Sequence, residues 1–418
     1  MAFLIAILAI GIGTQAARAQ VPSTRAAEIE KARDQKQAAL QPEEVSSGER
    51  FLRDLKDKKV LERLTASYNG LSLKIGNVVT GGGFALGPEY TREDLLAGRL
   101  YIRGLAQGTT KGYTKFEAEA GTKTLWNDRA TLSVLASRRD YSSLNYYGPG
   151  PLSRKEVRSN YRLEDTALSV FAAAEVTRQA KVGASTGKLW TNLGPGTAGE
   201  FVSTDRLFTE ARLPGIQRQT DYIRTTLFGQ FDYRDNHTSP KAGGNYVFQY
   251  SWYHDSKLGL YGFRRTDIDL QQVIPFLNKT RRIALRAKGT FTENDAGQKT
   301  PFYLQPILGG SDDLRGYRYF RFNDRNAVVY NAEYQWEIFS GLDGGVFCDA
   351  GKVMPRRGLL AFSNLETDAG FGLRFNANNT TFLRIDVGFS QEGVQVWLKF
   401  NDLFVSRKFG TSAGQPVY

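Results

Sequence analysis

Hydrophobic and polar residues alternate along most of this chain with a period of two. In the run FLRIDVGF at 382–389, the apolar side chains at odd positions share one face of an extended strand, and Arg384 and Asp386 share the other. Because side chains alternate between the two faces of a β-strand, this run predicts a strand with one apolar and one polar face. Similar runs, interrupted at Gly, Pro, Asn or Asp, continue from about residue 70 to about residue 404. The pattern predicts an all-β protein.

Two all-β architectures produce this alternation, and they place the polar face on opposite sides. A soluble sandwich buries the apolar face, whereas a transmembrane barrel turns that face towards lipid and lines its lumen with the polar face. No linker divides residues 70–404, and a single sandwich of that length would be unusual. We therefore expect an antiparallel transmembrane β-barrel, with a soluble secreted β-protein as the alternative.

The chain begins with a segment that resembles an export signal. Residues 2–13 are apolar and Ala17-Arg18-Ala19 fits a cleavage site, although no basic residue precedes the apolar run. A short membrane anchor or a misassigned start codon is the alternative. We expect a signal peptide at 1–19, a charged, partly helical or disordered arm at 20–69, the barrel at 70–404 and a C-terminal tail at 405–418.

Composition limits the chemistry that this chain can perform. With one cysteine, Cys348, an internal disulfide is impossible, and His237 and His254 have no partners at metal-ligand spacing, so we expect no metal and no cofactor. Neither histidine lies in a recognisable catalytic motif, and we expect the protein not to be an enzyme; a lipid hydrolase is the alternative. The net charge of +12 would suit nucleic acid, but export argues against that partner. The basic residues could instead face lipid phosphates or line a pore, and a solvated basic surface is the alternative.

Several motifs resemble those of one family of outer-membrane proteins. LRGY at 314–317 resembles the [VIL]-R-G-[FY] signature, and FCDAG at 347–351 the F-x-D-x-G signature, of the BamA/TamA superfamily, also called the bacterial surface antigen family. FDYRDNHTSPKAGG at 231–244 and NYYGPG at 145–150 resemble two further elements, in the family's order. The resemblance implies a sixteen-stranded barrel whose signature loop folds back into the lumen. Because 20–69 is too short for that family's POTRA domains, we expect a member without them.

The resemblance also implies a role for the arginine of the signature loop. By the alternation, Glu333 and Asp349 lie on the polar faces of consecutive strands, and both would point into the lumen. Arg315 would bind both carboxylates through its planar guanidinium, which a lysine could not match. Gly316 would let the backbone approach closely, and Tyr317 would pack with its hydroxyl bonded. A solvated Arg315 is the alternative. We name the expected site the loop lock: Leu314, Arg315, Gly316, Tyr317, Glu333 and Asp349, with Phe347 and Gly351 as the strand motif.

The family implies assistance to protein insertion or secretion, or to lipid transport, across the outer membrane of a Gram-negative-type bacterium. A seam between the first and last strands, at about 71–79 and 393–400, could accept an incoming strand. The implied partners are outer-membrane lipid, lipopolysaccharide and an unfolded or secreted polypeptide, with no nucleic acid and a monomeric barrel. The alternative is a passive outer-membrane pore or transporter. Charged side chains that point into the lumen would set its ion selectivity, and the candidates are Arg224, Arg374, Arg384 and Glu333.

Overall fold

The computed structural model describes residues 68–76, 78, 79, 81–377 and 380–400, and these residues are mostly β-strand. Sixteen antiparallel strands form one large sheet, which confirms the predicted all-β barrel and its strand number. The predicted signal peptide, the arm as far as residue 67 and the tail at 405–418 lie outside the described residues.

The strands of the large sheet are shortest at its two edges. They are β1 (Leu71–Gly76), β2 (Ala85–Asp94), β3 (Leu100–Thr109), β4 (Thr114–Leu125), β5 (Ala130–Tyr146), β6 (Ser159–Glu175), β7 (Ala180–Pro195), β8 (Asp221–Asp232), β9 (Gly243–Asp255), β10 (Phe263–Phe276), β11 (Arg281–Asn294), β14 (Asn326–Phe339), β15 (Leu342–Met354), β16 (Glu366–Ala377), β17 (Thr380–Ser390) and β18 (Gly393–Lys399). Two short strands, β12 (Ile307–Leu308) and β13 (Phe322–Asn323), pair with each other in the connection between β11 and β14. The described helical turns are α1 (Leu95–Gly98), α2 (Thr204–Leu207) and three 3-10 turns at Lys155–Val157, Phe302–Leu304 and Arg357–Leu359.

None of the helical segments in the described ranges is long and apolar enough to cross a membrane.

Each strand of the large sheet pairs with the next one along the chain, apart from β11, which pairs with β14. Within the described residues, no ladder of hydrogen bonds joins the edge strands β1 and β18. An aromatic contact spans that gap, since the rings of Phe84 and Phe400 lie 5.3 Å apart. The sheet is therefore a nearly closed barrel with one seam.

The two faces of the strands are distributed as a membrane barrel requires. On β17, the inward Arg384 and Asp386 are both 0% exposed, whereas the outward Phe389 is 46% exposed. The outer wall carries many large apolar side chains in the same exposed state, such as Leu168 and Leu227. A soluble protein rarely exposes so much contiguous apolar surface, so the apolar faces meet lipid and the polar faces line the lumen.

The two ends of the barrel differ in the lengths of their connections. Most turns at one end are short, as between β14 and β15, whereas the other end carries long connections at 147–158, 196–220 and 295–325. Barrels of the outer membrane have short periplasmic turns and long extracellular loops, which identifies the second end as extracellular.

Loops fill the extracellular end with an aromatic core. The ring of Phe302 lies 5.2 Å from that of Tyr146 and 4.9 Å from that of Tyr161, in edge-to-face geometry. Leu213 and Ile216 of the connection at 196–220 join the same buried cluster. The lumen is therefore covered at this end by packed side chains.

An arginine on the outer wall should destabilise the barrel. For Leu227→Arg on β8 we expect a loss of about 2–4 kcal/mol in the free energy of unfolding, because a charge near the bilayer midplane is poorly solvated. Urea unfolding in phospholipid vesicles measures this loss. The matched change Leu152→Arg, at an extracellular-loop residue that is 92% exposed, should cost at most about 0.5 kcal/mol. Equal losses for the two variants would contradict the assignment of the outer wall to lipid.

Candidate functional site

The connection between β11 and β14 enters the barrel. The short pair of β12 and β13 forms its neck, and residues 309–321 fold inward between them. Gly309 and Gly310 both have φ near +110°, a backbone conformation that favours glycine. Leu314 and Tyr317 are buried in a cluster that includes Phe322. The loop is therefore held as a packed unit at the place where the chain turns into the lumen.

Arg315 at the tip of this loop binds two carboxylates on the barrel wall. Its Nε and Nη2 donate to the two carboxylate oxygens of Asp349 at 2.8 and 2.9 Å, and its Nη1 donates to Glu333 Oε2 at 2.5 Å. The guanidinium also lies 3.4 Å from the centre of the Phe347 ring. Burial alone would lower the pKa of Arg315, but Asp349 and Glu333 raise it well above its usual value. The arrangement uses the planar geometry that distinguishes arginine from lysine.

The ionic contacts continue across the wall beyond Arg315. Arg374 donates to Glu333 Oε1 from Nη2 at 2.5 Å and from Nε at 3.0 Å. Asp386 then lies between two cations, 2.8 Å from Arg374 Nη1 and 2.8 Å from Arg384 Nε. Because all of these groups are buried, each charge depends on its neighbours for compensation. The cluster contains three guanidinium groups and three carboxylates: Arg315, Arg374, Arg384, Glu333, Asp349 and Asp386.

The residues that flank Arg315 in the loop fit closely against β16 and β17. A Cβ atom at Gly316 would lie 2.5 Å from Asp368 Cβ and 2.9 Å from Ser390 Cβ, so only glycine fits. Ser390 Oγ donates to the Gly316 carbonyl at 2.7 Å. Tyr317 donates its hydroxyl proton to Glu366 Oε2 at 3.0 Å, and burial, followed by the charge of Glu366, raises the pKa of this tyrosine.

The inward loop also contacts both sides of the seam. Trp397 of β18 donates its indole N–H to the Arg315 carbonyl at 2.6 Å, and Lys399 of the same strand forms an ion pair with Asp312. The ring of Tyr319 lies 4.4 Å from the ring of Trp397. Tyr319 also packs on Gly81 in the β1–β2 connection, where an added Cβ atom would lie 2.7 Å from the Tyr319 ring. One loop therefore touches the last strand and the connection that follows the first strand.

The structure brings the expected loop residues together with the two carboxylates. Leu314, Arg315, Gly316 and Tyr317 are in the inward loop, and Glu333 and Asp349 point into the lumen from β14 and β15. Phe347 stacks on Arg315. A Cβ atom at Gly351 would lie 2.8 Å from the Val328 carbonyl oxygen and 3.3 Å from Leu308, so the backbone of β15 comes close to both residues there. The sequence alternation had placed Arg374, Arg384 and Asp386 inward but did not link them to Arg315. The sequence did not predict a role for Trp397 or Lys399, although the alternation in GVQVWLKF places both on the polar face of the strand.

Asp368 on β16 is a further buried carboxyl group beside this network. It lies directly opposite Asp349 in the register of β15 and β16. It is 6% exposed, and neither of its carboxylate oxygens has a hydrogen-bond partner among the described residues. Asp368 therefore places a second buried carboxyl group against Asp349, without an ion pair of its own among the described residues. Burying a carboxyl group in this way costs stability, so the contact between the loop and β16 is less stable than it could be.

The described part of the chain offers little support for a metal site or a hydrolase site. No group of three or more His, Cys, Asp or Glu side chains there is arranged to hold a metal ion. The segment 183–187, GASTG, has the Gly-x-Ser-x-Gly spacing of a hydrolase nucleophile but lies inside strand β7 rather than at a strand-to-helix turn.

Comparisons with known proteins agree with this architecture. Residues 127–401 match the family described as the Omp85 superfamily domain. A crystal structure of BamA from Haemophilus ducreyi lacking POTRA domains 1–3 has a TM-score of 0.60 and 14% identity, covering 80% of this chain and 70% of that chain. CdiB from Escherichia coli has a TM-score of 0.53 and 11% identity, covering 79% of this chain and 61% of that chain. At these identities the likeness shows the fold. No curated protein sequence matches the chain.

Arg315 and Asp349 should be energetically coupled. We expect Arg315→Ala and Asp349→Ala each to lower the free energy of unfolding by about 3–5 kcal/mol, because each leaves a buried charge without its partner. The double variant should lose less than the sum, by about 1 kcal/mol or more. Urea unfolding of all variants in vesicles gives the cycle. The exposed pair Arg92 and Asp94, 2.8 Å apart, provides the control cycle, in which we expect a coupling below about 1 kcal/mol. Simple additivity at Arg315 and Asp349 would refute the coupling.

Replacing the carboxyl group of Asp368 by an amide should stabilise the protein. Asp368→Asn keeps the shape of the side chain and removes a buried ionisable group that faces another carboxylate, so we expect a gain of about 0.5–1 kcal/mol. The matched change Asp349→Asn removes the partner of Arg315 and should be strongly destabilising. Thermal unfolding in detergent compares the two directly. Losses of similar size would show that Asp368 contributes to the network in the same way as Asp349.

Proposed function

Because the chain belongs to the Omp85 superfamily, we propose that it assists the insertion or secretion of proteins by offering the seam between β1 and β18 to an incoming polypeptide strand. The protein is an outer-membrane β-barrel of the insertase or secretion type, from a Gram-negative-type bacterium. The choice between insertion and secretion, and the part that the seam takes in either, belong to the proposal.

The observation that carries the proposal is the weakness of the seam. β1 and β18 are six and seven residues long, whereas β5 and β6 are both seventeen. No ladder joins the two edge strands within the described residues. Backbone groups that face lipid without partners are costly, and an added strand would pair with them. A polypeptide that must form β-structure in the membrane is therefore a suitable substrate.

The loop lock has a definite part in this proposal. Its residues hold the inward loop, and through Trp397 and Lys399 that loop braces the last strand of the sheet. Loosening the ionic contacts of Arg315 would release the loop and β18 together. The proposed functional residues are Leu314, Arg315, Gly316, Tyr317, Glu333, Asp349, Phe347 and Gly351.

The passive pore is the weaker candidate. Its ion path would have to cross the extracellular end, where side chains of the long connections form a buried aromatic core. The charges that would tune its selectivity are also engaged elsewhere, since Glu333 and Arg374 bond to each other. Transport of lipid through the same seam is a further possibility, and it would use the same strand edges.

Several further assignments accompany this proposal. Residues 1–19 would direct export and be removed, 20–69 would remain as a periplasmic arm, and 405–418 would form a tail after the barrel at 70–404. The barrel would act as a monomer, surrounded by outer-membrane lipid and lipopolysaccharide.

Closing the seam covalently should abolish the proposed activity. In a Cys348→Ser background, Phe84→Cys and Phe400→Cys can be joined with a short bis-maleimide, because their rings are in contact in the native protein. Liposomes that contain the uncrosslinked variant should accelerate the folding of a urea-unfolded, eight-stranded outer-membrane protein over empty liposomes. We expect the crosslink to remove this acceleration, since the edge strands could no longer separate. The appearance of heat-resistant folded substrate on gels measures the rate.

A matched crosslink tests whether the seam itself matters. Ile385→Cys and Leu398→Cys lie opposite each other on β17 and β18, which are already paired, so joining them should leave the acceleration intact. Equal activity of the two crosslinked proteins would refute a role for the seam. No acceleration by any form, together with a steady ion current across planar bilayers, would favour the passive pore.

A further inference from the structure

An apolar groove crosses the outer wall of the barrel on the side of β9 to β16. Its volume is about 570 Å³, which is within the range of small-molecule sites. The strand register places Ala287 between Leu270 and Tyr330, and Ala350 on the other side of Tyr330. Small side chains therefore leave a depression among larger ones. The residues that line it include Ala287, Ala332, Cys348, Ala350, Leu285 and Tyr330.

The connection between β15 and β16 folds against the outer wall beside this groove. The ring of Phe362 lies 5.4 Å from that of Tyr330, which lines the groove. Arg357 lies 5.8 Å above the ring of Phe291 on β11. Lys352, on the outward face of β15, is covered by this connection and donates to the Ser363 carbonyl at 3.1 Å. The connection is thus fixed at the extracellular end of the wall that faces lipid.

The same connection combines exposed apolar and basic side chains. Leu359, Leu360 and Phe362 are 54%, 49% and 81% exposed. Arg356 and Arg357 are also exposed, and neither forms an ion pair with a carboxylate of the described residues. From residue 350 to residue 365 the sequence contains no acidic residue at all. This surface is therefore a cationic patch at the level of the headgroups, directly above an apolar groove.

We propose that this connection and the groove bind a phosphorylated glycolipid of the outer leaflet, that is, lipopolysaccharide. Arg356 and Arg357 bind a phosphate, since guanidinium groups form charge-assisted, bidentate hydrogen bonds with phosphate oxygens. One acyl chain lies in the groove, and Leu359, Leu360 and Phe362 enter the interface between headgroups and acyl chains.

The spacing of the two parts suits an amphiphile. Phe291, beneath Arg357, is four residues along β11 from Ala287 in the groove, and at ~3.4 Å per residue this is a separation of ~14 Å. A headgroup phosphate and the middle of its acyl chain lie at a comparable distance from each other. The site does not involve the seam, so it stands or falls independently of the proposed function.

The only cysteine of the chain lines the groove and provides a readout without mutation. Cys348 is exposed on the lipid-facing wall, so a small apolar maleimide that enters the detergent layer should alkylate it in the full-length protein in neutral detergent, and a bound acyl chain should protect it. We expect saturating lipopolysaccharide to slow the alkylation at least fivefold. Replacement of both arginines, Arg356→Ser with Arg357→Ser, should raise the concentration needed for half-protection by about tenfold or more, because the phosphate loses its charged partners.

Three comparisons make the test decisive. Arg154→Ser with Lys155→Ser removes an exposed basic pair from another extracellular connection and should leave protection unchanged. Dephosphorylated lipopolysaccharide should protect the native protein as poorly as the native lipid protects the double-serine variant. Phosphatidylglycerol should protect weakly; protection equal to that by lipopolysaccharide would overturn the assignment to the glycolipid. Absence of protection, or equal effects of the two basic-pair changes, would overturn the site altogether.

Discussion

The structure depends on one requirement: carboxylates must compensate the positive charge of a guanidinium group that is buried in the lumen. Arg315 meets it with a bidentate contact to Asp349 and a third hydrogen bond to Glu333. Removing either partner would leave a buried charge uncompensated. Gly316 and Tyr317, next to Arg315 in the chain, lie against β16 and β17 in the same arrangement. The ionic contacts and the packing of the loop therefore hold the same short segment against the barrel wall.

That loop links the regular wall of the barrel with both edges of the seam. On one side it is anchored to the long, regular strands β14 to β17, and on the other it holds Trp397 of the edge strand β18. Tyr319 extends the contact to Gly81 beyond β1. In the mechanism that we propose, the short edge strands supply the place for exchange of strands, and the loop controls how firmly one of them is held. In that mechanism, a less stable ionic cluster would allow the seam to open more readily.

The sequence was sufficient for the architecture and for the centre of the candidate site. Strict alternation placed Arg384 and Asp386 on one face of β17. The short motif LRGY identified Arg315 as the residue that would bind carboxylates on the polar faces of the strands. The links from Glu333 to Arg374 and from Arg374 to Asp386 could not be predicted, because they depend on the stagger between strands far apart in sequence. Trp397 was missed for a related reason, since an aromatic residue on a polar face has no partner until the loop is in place. No local sequence pattern predicts the path of the β15–β16 connection over the outer wall.

The shortness of the edge strands also has a consequence for the surrounding bilayer. A strand of six residues, as in β1, is ~20 Å long at ~3.3 Å per residue. Tilted by ~40°, it rises only ~15 Å, whereas the apolar band of such barrels is ~25 Å tall. Because a bilayer adapts to a short hydrophobic span by thinning, we expect the lipid beside the described part of the seam to be thinner than elsewhere. A thinner membrane on that side would be a lower barrier than the one beside β5 and β6.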